Sequence, residues 1–359
     1  AINMMDDKCG RAAIIENGSP LFSGGTSSGE SQIRRWLLEN DYIEAIIQLS
    51  TDMFYNTGIA TYIWVLSKNK RAERKGKIQL IDASHLCNKL RKNLGNKKCE
   101  ITPKDRVAIT KLYADFKENE HCQIYDNTEF IYREYAVMQP LQRSYAITED
   151  RINAMLSSGA LSTLYDEAKV DELENMDELT GKDKNKLDNF KKNKPIYDAI
   201  VDALNNAVSD KVYKNPETFT PVVNNILSGI ISDAKDLKKI ADKIIKGLSV
   251  MDKTADIQKD KKGNVIYDTE TKDTEIVPWE TNIDDYMASE VLPHVPDAKA
   301  FFEEDLGKKN PVIKTGAEIP FTRYFYKYQA PASSDELAKR FNELEASVDS
   351  RIKKLFGGN

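Results

Sequence analysis

Two aromatic residues stand together between two apolar stretches of the sequence. Phe54 and Tyr55 belong to the segment 52–58 (DMFYNTG), and the stretches on either side of it, 43–49 and 59–66, are predicted β-strands. Loops at the ends of strands are where α/β sheets place their binding sites, and an exposed ring there can stack on a nucleic-acid base. The alternative is that both rings only pack against the two strands.

A glycine-rich segment, residues 24–29 (GGTSSG), precedes a predicted helix. The first backbone N–H groups of a helix are free to bind an anion, so this segment is a candidate phosphate cradle. A flexible connecting loop is the more common interpretation of such a segment, and we favour it.

The cysteines and histidines lack the spacing of a metal site. Structural zinc ligands come in short, regular pairs, and none of the four cysteines belongs to a CxxC pair. We therefore predict no metal site. The side chains that would have to be combined are His85, Cys87, Cys99, His121 and Cys122. Four scattered thiols in 359 residues also argue against a disulfide framework and favour a reducing cytoplasm.

The first 85 residues contain four short apolar stretches that are rich in isoleucine. They occupy residues 11–16, 43–49, 59–66 and 77–83. Stretches of this kind predict strands of a sheet that is covered on both faces, as in α/β proteins. A helix is predicted between the first two, with Ser27 as its N-cap, Glu30 completing a capping box and Asn40 at its end. The loop 51–58 is too short for a helical crossover, so the second and third strands are predicted to form an antiparallel hairpin.

The rest of the chain is predicted to be mainly helical. Thr102 and Pro103 have the residue types of an N-cap and a first helical position, and helical periodicity predominates between residues 148 and 251. The dipeptide Gly263-Asn264 predicts a small β-hairpin. The predicted fold is an α/β N-terminal part followed by a mainly α-helical C-terminal region with this hairpin.

A cluster of basic residues surrounds Gly95. It consists of Lys89, Arg91, Lys92, Lys97 and Lys98. The whole chain is acidic, with 52 Lys and Arg against 57 Asp and Glu and a formal net charge of −5. Any contact with nucleic acid therefore needs a local basic patch of this kind. The alternative is a solvated loop without a ligand.

The segment Ser334–Phe356 is predicted to be a long helix whose apolar side chains recur at steps of three and four. These side chains are Leu337, Phe341, Leu344, Val348, Ile352 and Leu355. A heptad-like stripe suits docking to a helix of another chain, and the alternative is a helix that folds back on its own core. No uninterrupted apolar run approaches the roughly 18 residues of a membrane helix, so no membrane partner is expected.

Several collinear segments resemble the methyltransferase (M) subunits of type I restriction-modification systems, which are adenine-specific DNA methyltransferases. The longest runs from GRAAIIENG to VLSKNK, residues 10–70. Others are KIQLIDASHL, ITPKDRVAITKLYADF, YREYAVMQPLQRSYAIT, VPWETNIDDYMASEVLPHVPDA and EIPFTRYFYKY. The resemblance implies a partial Rossmann-like methyltransferase sheet in residues 1–150, a mainly helical region in 151–330 and a terminal helix for subunit association in 331–359.

The resemblance also implies roles for particular residues. In the wider family an aromatic residue between the last two long strands stacks on the flipped-out adenine; Phe54 matches that position, and Tyr55 is the second choice. The full-length subunit is implied to transfer a methyl group from S-adenosylmethionine to the exocyclic amine of adenine in DNA. Its implied partners are a specificity subunit, a restriction subunit and DNA.

The sequence departs from the family in one respect. It contains no Asn-Pro-Pro motif, which holds the target amine in the family, and the family's cofactor-binding glycine loop lies upstream of the segment that matches here. We therefore expect the C-terminal portion of an M subunit, which binds no S-adenosylmethionine and is inactive alone. The other interpretations are a non-catalytic interaction module and part of a standalone or phage-defence adenine methyltransferase.

Overall fold

The chain forms two compact units in a computed structural model that describes residues 1–176, 178–328 and 330–356. The first unit contains Ala1–Glu134, Ile276–Glu280 and Glu304–Asn359, and the second contains Tyr135–Glu275 and Thr281–Glu303. The predicted functional division at residues 150 and 330 stays a prediction, and residues 357–359 of the predicted terminal part lie outside the described residues. No described helix is both long enough and apolar enough to cross a membrane.

The regular elements are as follows. The strands are β1 (Arg11–Asn17), β2 (Ile43–Gln48), β3 (Thr61–Ser67), β4 (Lys77–Asp82), β5 (Asn88–Leu94), β6 (Lys97–Glu100), β7 (Cys122–Asp126), β8 (Ile131–Met138), β9 (Arg143–Tyr145), β10 (Ser249–Met251), β11 (Asp273–Pro278), β12 (Lys299–Phe301) and β13 (Thr315–Ala317). The helices are α1 (Ser19–Phe22), α2 (Gly29–Glu39), α3 (Pro103–Asp115), α4 (Glu149–Ser157), α5 (Glu167–Glu174), α6 (Gly181–Asn206), α7 (Pro216–Ser228), α8 (Ala234–Gly247), α9 (Ile283–Tyr286), α10 (Phe321–Phe325) and α11 (Ser334–Phe356).

The first unit is built on a five-stranded sheet with the strand order β1-β3-β2-β4-β7. Strands β2 and β4 are parallel, and every other neighbouring pair is antiparallel. The predicted antiparallel pairing of β2 with β3 is confirmed, with Ile46 opposite Trp64. Ile46, Ile78 and Leu80 are fully buried, because the central strands are covered on both faces.

The edge strand β1 differs from the prediction that all four apolar strands are covered on both faces. It ends the sheet beside β3, most of its residues are exposed, and Ile15 is 53% exposed. The side chains of β1 point to the two faces of the sheet, where Ile14 and Ile15 each line an open groove, so β1 is apolar in sequence without being buried. The prediction is wrong here because an apolar pattern does not tell where in the sheet a strand lies.

Helix α2 begins one residue later than predicted. Its N-cap is Ser28 rather than Ser27, since the Ser28 hydroxyl oxygen accepts a hydrogen bond from the Ser31 N–H at 3.2 Å. The helix ends at Glu39, with Asn40 as its C-cap, as predicted. Helix α3 has the predicted Thr102 cap, which forms a capping box with Asp105.

A buried arginine ties helix α2 to two distant parts of the first unit. The guanidinium of Arg34, which is 2% exposed, donates to the carbonyl oxygens of Pro20 at 3.0 Å, Ser23 at 2.9 Å and Ala317 at 2.7 Å. Ala317 belongs to β13, which pairs with the first residues of β8. The last part of the first unit is therefore fastened to a helix near its beginning.

The second unit is mainly helical between residues 149 and 247. Helices α4, α6, α7 and α8 contribute to one core, in which Leu204, Phe219, Val223 and Ile244 are fully buried. Between α8 and α10 the prediction of a mainly helical region is wrong, because the short strands β10 to β13 alternate with short helical turns. The predicted hairpin at Gly263-Asn264 is reduced to a single bridge between Lys259 and Val265.

Candidate nucleic-acid interface

The loop 52–58 connects β2 to β3 and is closed on itself. Asp52 adopts the left-handed conformation with φ 58°, and its N–H donates to the Gly58 carbonyl at 3.3 Å. The Asp52 carboxylate lies against Gly58, where a Cβ atom would come within 2.9 Å of Asp52 Oδ1. Phe54 and Tyr55 lie between these two closing residues.

The two rings of this loop have different surroundings. Phe54 is half-buried and lines an open groove of about 810 Å³, together with residues of β1, β3 and α3 such as Ile15, Ile63 and Tyr113. Tyr55 is 60% exposed. The alternative that both rings only pack against the strands therefore does not hold for Tyr55, and the groove beside Phe54 has the volume of a small-ligand site.

The predicted basic cluster forms a β-hairpin rather than an irregular loop. Strands β5 and β6 pair antiparallel, with Lys89 opposite Cys99 and Leu94 opposite Lys97. The two-residue turn between them begins at Gly95, whose φ is 61°. The five cations are exposed, apart from Lys97, which is half-buried. We call residues 88–100 the basic hairpin.

The basic hairpin contacts the loop 52–58 directly. The N–H groups of Lys98 and Cys99 both donate to the Asp52 carbonyl, at 2.9 Å and 3.3 Å, and the Asn96 N–H donates to the Tyr55 carbonyl at 3.1 Å. The Lys98 ammonium also forms an ion pair with Asp52 Oδ1 at 3.2 Å. Two candidate sites that are separate in the sequence are therefore adjacent in the structure.

One lysine of the basic hairpin adds a contact to the exposed ring. Lys97 Nζ lies 5.7 Å from the centroid of the Tyr55 ring, which is within the range of a cation–π interaction. A ring in contact with a cation on one side keeps its remaining surface available to stack on another flat group. The pair therefore combines a π-face with a positive charge.

A buried ion-pair network lies beside the groove, and it was not predicted from the sequence. Glu44 and Arg74 are 4% and 3% exposed, with Arg74 Nε 3.5 Å from Glu44 Oε1. Arg11 donates to Glu44 Oε2 at 2.9 Å, and the Tyr113 hydroxyl also donates to Glu44. Burial, together with this bond to a carboxylate, raises the pKa of Tyr113. Gln79 accepts from Arg74 at 2.8 Å. The sequence signal was a Glu and a Gln inside otherwise apolar strands.

The glycine-rich loop 24–29 is not arranged as an anion cradle. The Ser28 hydroxyl oxygen accepts a hydrogen bond from the Ser31 N–H at the start of α2, so this N–H is not free to bind an anion. The Glu30 carboxylate accepts bonds from its own N–H and from Ser28, which lower the pKa of Glu30. A carboxylate therefore already occupies the position where a bound anion would lie, and the preferred interpretation as a connecting loop fits the structure.

The histidines and cysteines considered above as metal ligands make other contacts. The rings of His85 and His121 stack at 3.9 Å, and Cys87 donates to the Ser50 hydroxyl at 3.2 Å. Cys122 is fully buried, and burial raises the pKa of its thiol. Within the described residues, no group of three His, Cys, Asp or Glu side chains is placed to hold a metal ion.

Helix α11 has the predicted bounds and contains no buried residue. The six side chains of its apolar stripe are all exposed, from 48% at Val348 to 77% at Leu355. The alternative that this helix folds into its own core is therefore not what the structure has. The predicted docking of the stripe to another chain stays a prediction.

Comparison with known proteins relates the first part of the chain to DNA methyltransferases. Residues 1–150 match the family described as N-6 DNA Methylase. The type I restriction enzyme MjaVIII methylase subunit of Methanocaldococcus jannaschii is 35% identical over 136 residues, which are 37% of this chain and 22% of that protein. The MpnII methylase subunit of Mycoplasma pneumoniae is 34% identical over 109 residues, which are 30% of this chain and 18% of that protein.

Solved structures give matches of similar extent. A type I restriction-modification methyltransferase subunit from Streptococcus thermophilus is 28% identical, over 33% of this chain and 24% of that chain, with a TM-score of 0.29. The resemblance to type I methyltransferase subunits that the sequence predicted is confirmed by the family match and the two relatives. The chain spans about a fifth of the length of those relatives.

Proposed function

We propose that this chain, whose residues 1–150 match the N-6 DNA methylases, is the C-terminal part of the modification subunit of a type I restriction-modification system. In the full-length subunit, S-adenosylmethionine supplies a methyl group to the exocyclic amine of adenine in DNA. This chain provides the surface that holds the adenine after it has left the duplex. The assembly works in the cytoplasm, with a specificity subunit, a restriction subunit and DNA as partners.

The junction of the loop 52–58 with the basic hairpin supports this role most directly. An extruded base needs a π-face, which is worth about 1–3 kcal/mol, and the displaced strand needs cations near its phosphates. Phe54 lines the groove and is our choice for the stacking ring, with Tyr55 as the second choice. The five predicted cations are our choice for phosphate contacts. Lys97 and Lys98 already contact the loop through Tyr55 and Asp52, so the test below uses the other three, Lys89, Arg91 and Lys92, which are exposed.

The glycine-rich loop 24–29 does not provide the anion site that a cofactor carboxylate would need. In the glycine-rich loop ahead of α2, the Glu30 carboxylate already accepts its own backbone N–H at the helix N-terminus, so this N–H is not available to the carboxylate of the cofactor. We therefore assign cofactor binding to no residue of this chain. The exposed edge of β1 is consistent with a partial Rossmann-like sheet, since it has backbone groups that can pair with a further strand.

A role in subunit assembly is supported by helix α11. Its stripe exposes Leu344 at 68% and Leu355 at 77%, and an exposed apolar stripe of this length is characteristic of a partner-binding surface. We assign the stripe to the specificity subunit. A chain with this role alone would be the non-catalytic interaction module.

The experiment measures DNA binding and methyl transfer by the full-length subunit assembled with its specificity subunit. A variant with Lys89, Arg91 and Lys92 changed to Gln is compared with a control variant with Lys182, Lys184 and Lys192 changed to Gln. The control removes the same charge at exposed positions of α6. We expect the hairpin variant alone to flatten the dependence of log affinity on log salt, by about 0.9 for each phosphate that the protein no longer neutralises. Equal slopes of log affinity against log salt for the two variants would contradict the assignment of the hairpin to a DNA-facing surface. If the wild-type complex transfers no methyl group, the interpretation as a non-catalytic interaction module holds instead.

A further inference from the structure

The loop 52–58 and the basic hairpin are joined by several backbone hydrogen bonds. The hairpin donates three backbone hydrogen bonds of 2.9–3.3 Å to the loop. The Tyr55 carbonyl accepts one from Asn96, and the Asp52 carbonyl accepts one each from Lys98 and Cys99. The Cys99 thiol in addition donates to the Thr51 carbonyl at 3.1 Å. A displacement of the hairpin therefore carries the loop with it.

Asp52 is the centre of this junction. Its N–H closes the loop onto Gly58, its carbonyl accepts two hairpin N–H groups, and its carboxylate pairs with Lys98 at 3.2 Å. The positive φ of 58° allows these three groups to point in different directions, and Asp tolerates that conformation better than most residues. A Cβ atom at residue 58 would lie 2.9 Å from the same carboxylate, so a larger residue there would displace the Asp52 side chain.

Gly95 provides the second point of contact. At the hairpin turn, a Cβ atom on residue 95 would lie 3.1 Å from the Tyr55 carbonyl oxygen, so a larger residue pushes the turn and the loop apart by a few tenths of an ångström. The carbonyl of Tyr55 is the group that accepts from Asn96 at 3.1 Å. The close approach of turn and loop therefore depends on a residue without a side chain.

We propose that Asp52 and Gly95 are positioning residues that couple the basic hairpin to the aromatic loop, so that phosphate contacts made by the hairpin fix Phe54 in place for the target base. This inference rests on the proposed function. It adds that base stacking and backbone binding are performed by one connected element, and that neither Asp52 nor Gly95 needs to touch DNA.

The test uses the full-length complex with two DNA substrates. Unmodified DNA gives the methylation kinetics, and DNA with 2-aminopurine at the target adenine, which cannot be methylated at C6, gives a fluorescence that rises when the base leaves the stack. The variants on the two sides of the junction are Asp52→Gly, which removes the carboxylate without backbone strain, and Gly95→Asn, which adds a Cβ atom in a residue that tolerates positive φ. The control is Gly76→Asn, since Gly76 has φ 71° and open space around its Cβ position. Asp52→Asn keeps an oxygen for Lys98 and is the conservative rescue.

We expect Asp52→Gly and Gly95→Asn to lower kcat and the 2-aminopurine signal by less than the roughly 5- to 150-fold drop that removal of the stacking ring produces. In Gly95→Asn the KM for DNA and the salt dependence stay at the wild-type values, because no charge changes. Asp52→Gly and Asp52→Asn both free Lys98 from its ion pair, so these two variants are compared with each other. Gly76→Asn behaves as wild type, and Asp52→Asn recovers most of the activity. Backbone hydrogen exchange at Asn96 accelerates in Gly95→Asn.

Two results would overturn the inference, and they are distinguishable. If Phe54→Ala lowers methylation while Asp52→Gly and Gly95→Asn match Gly76→Asn, the stacking role stands and the coupling is wrong. If Phe54→Ala leaves methylation and fluorescence unchanged, the proposed function of the loop is wrong and the coupling is wrong with it.

Discussion

Replacing Glu44 by Gln should destabilise the first unit strongly, because it removes one partner of a buried ion pair. Glu44 and Arg74 are 4% and 3% exposed, and removal of one member of such a pair typically costs about 3–5 kcal/mol. Arg74 keeps Gln79 at 2.8 Å and the rings of Tyr113 and Phe116, 4.5 Å and 4.3 Å away. These remaining partners offset part of the cost, so we expect the lower end of the range, about 3 kcal/mol.

Urea unfolding followed by tryptophan fluorescence measures this effect in the right part of the chain. All three tryptophans, Trp36, Trp64 and Trp279, belong to the first unit, so their signal reports that unit even if the two units unfold separately. A destabilisation of about 3 kcal/mol lowers the urea midpoint by about 1–3 M. The matched control is Glu39→Gln, which removes the exposed pair with Arg35 and should cost less than about 1 kcal/mol. If Glu44→Gln is no more destabilising than this control, the buried pair of Glu44 and Arg74 does not stabilise the first unit.

Three further predictions concern other parts of the molecule. Phe54→Ala in the full-length subunit should lower kcat/KM for methylation by about 5- to 150-fold. Phe54→Leu restores the packing but not the π-face, so its kcat/KM should stay low. A wild-type kcat/KM in Phe54→Leu would show that Phe54 only packs. Leu344→Glu should leave the melting temperature of the chain unchanged, because α11 buries nothing, and should weaken co-purification with the specificity subunit; undiminished co-purification would count against the docking surface. Burial is the main reason that the pKa of Tyr324 rises to about 12, and the charge of the nearby Glu129 is the second. The unfolded chain therefore releases this proton from about pH 10, whereas the folded chain keeps it. The resulting contribution to stability is present below about pH 10 and is lost as pH rises towards 12. Tyr324→Phe should therefore show a smaller drop in unfolding free energy between about pH 9 and pH 11 than the wild type, and equal drops would refute the assignment.

The strands and caps of the first unit were largely predictable because they depend on local sequence. The four apolar stretches became β1 to β4, and Thr102 with Pro103 starts α3 as predicted. The polar network beside the groove was not predictable, since the partners of Glu44 come from three separate parts of the chain. A charged residue in an apolar strand reveals only that a partner exists, and its identity depends on the fold.

Two Gly-Asn dipeptides show why the candidate site was only partly predictable. Gly95-Asn96 forms a two-residue hairpin turn in a segment predicted only as a basic cluster. Gly263-Asn264 was predicted as a hairpin and makes one bridge, because Asp260 Oδ1 accepts the N–H groups of Lys262 and Asn264 at 2.8 Å and 2.9 Å. An aspartate side chain that accepts hydrogen bonds from the N–H groups of the turn competes with the strand-to-strand hydrogen bonds of a hairpin. The presence of such an aspartate upstream is the signal that separates the two cases.

The hydrogen bond from Arg34 to the Ala317 carbonyl joins two segments that are synthesised at different times. Strand β13 and the core residues Ile319 and Phe321 leave the ribosome only after the whole of the second unit has been made. At about 5–20 residues per second, the roughly 180 residues that separate Glu134 from β13 take on the order of ten to forty seconds. During that interval the five strands of the first unit's sheet have been synthesised, but one side of its core is still uncovered. The Arg34 guanidinium also lacks its hydrogen bond to the Ala317 carbonyl. We expect nascent chains in this window to be the form of the protein that general chaperones bind, and the interval to shorten when the second unit is replaced by a short linker.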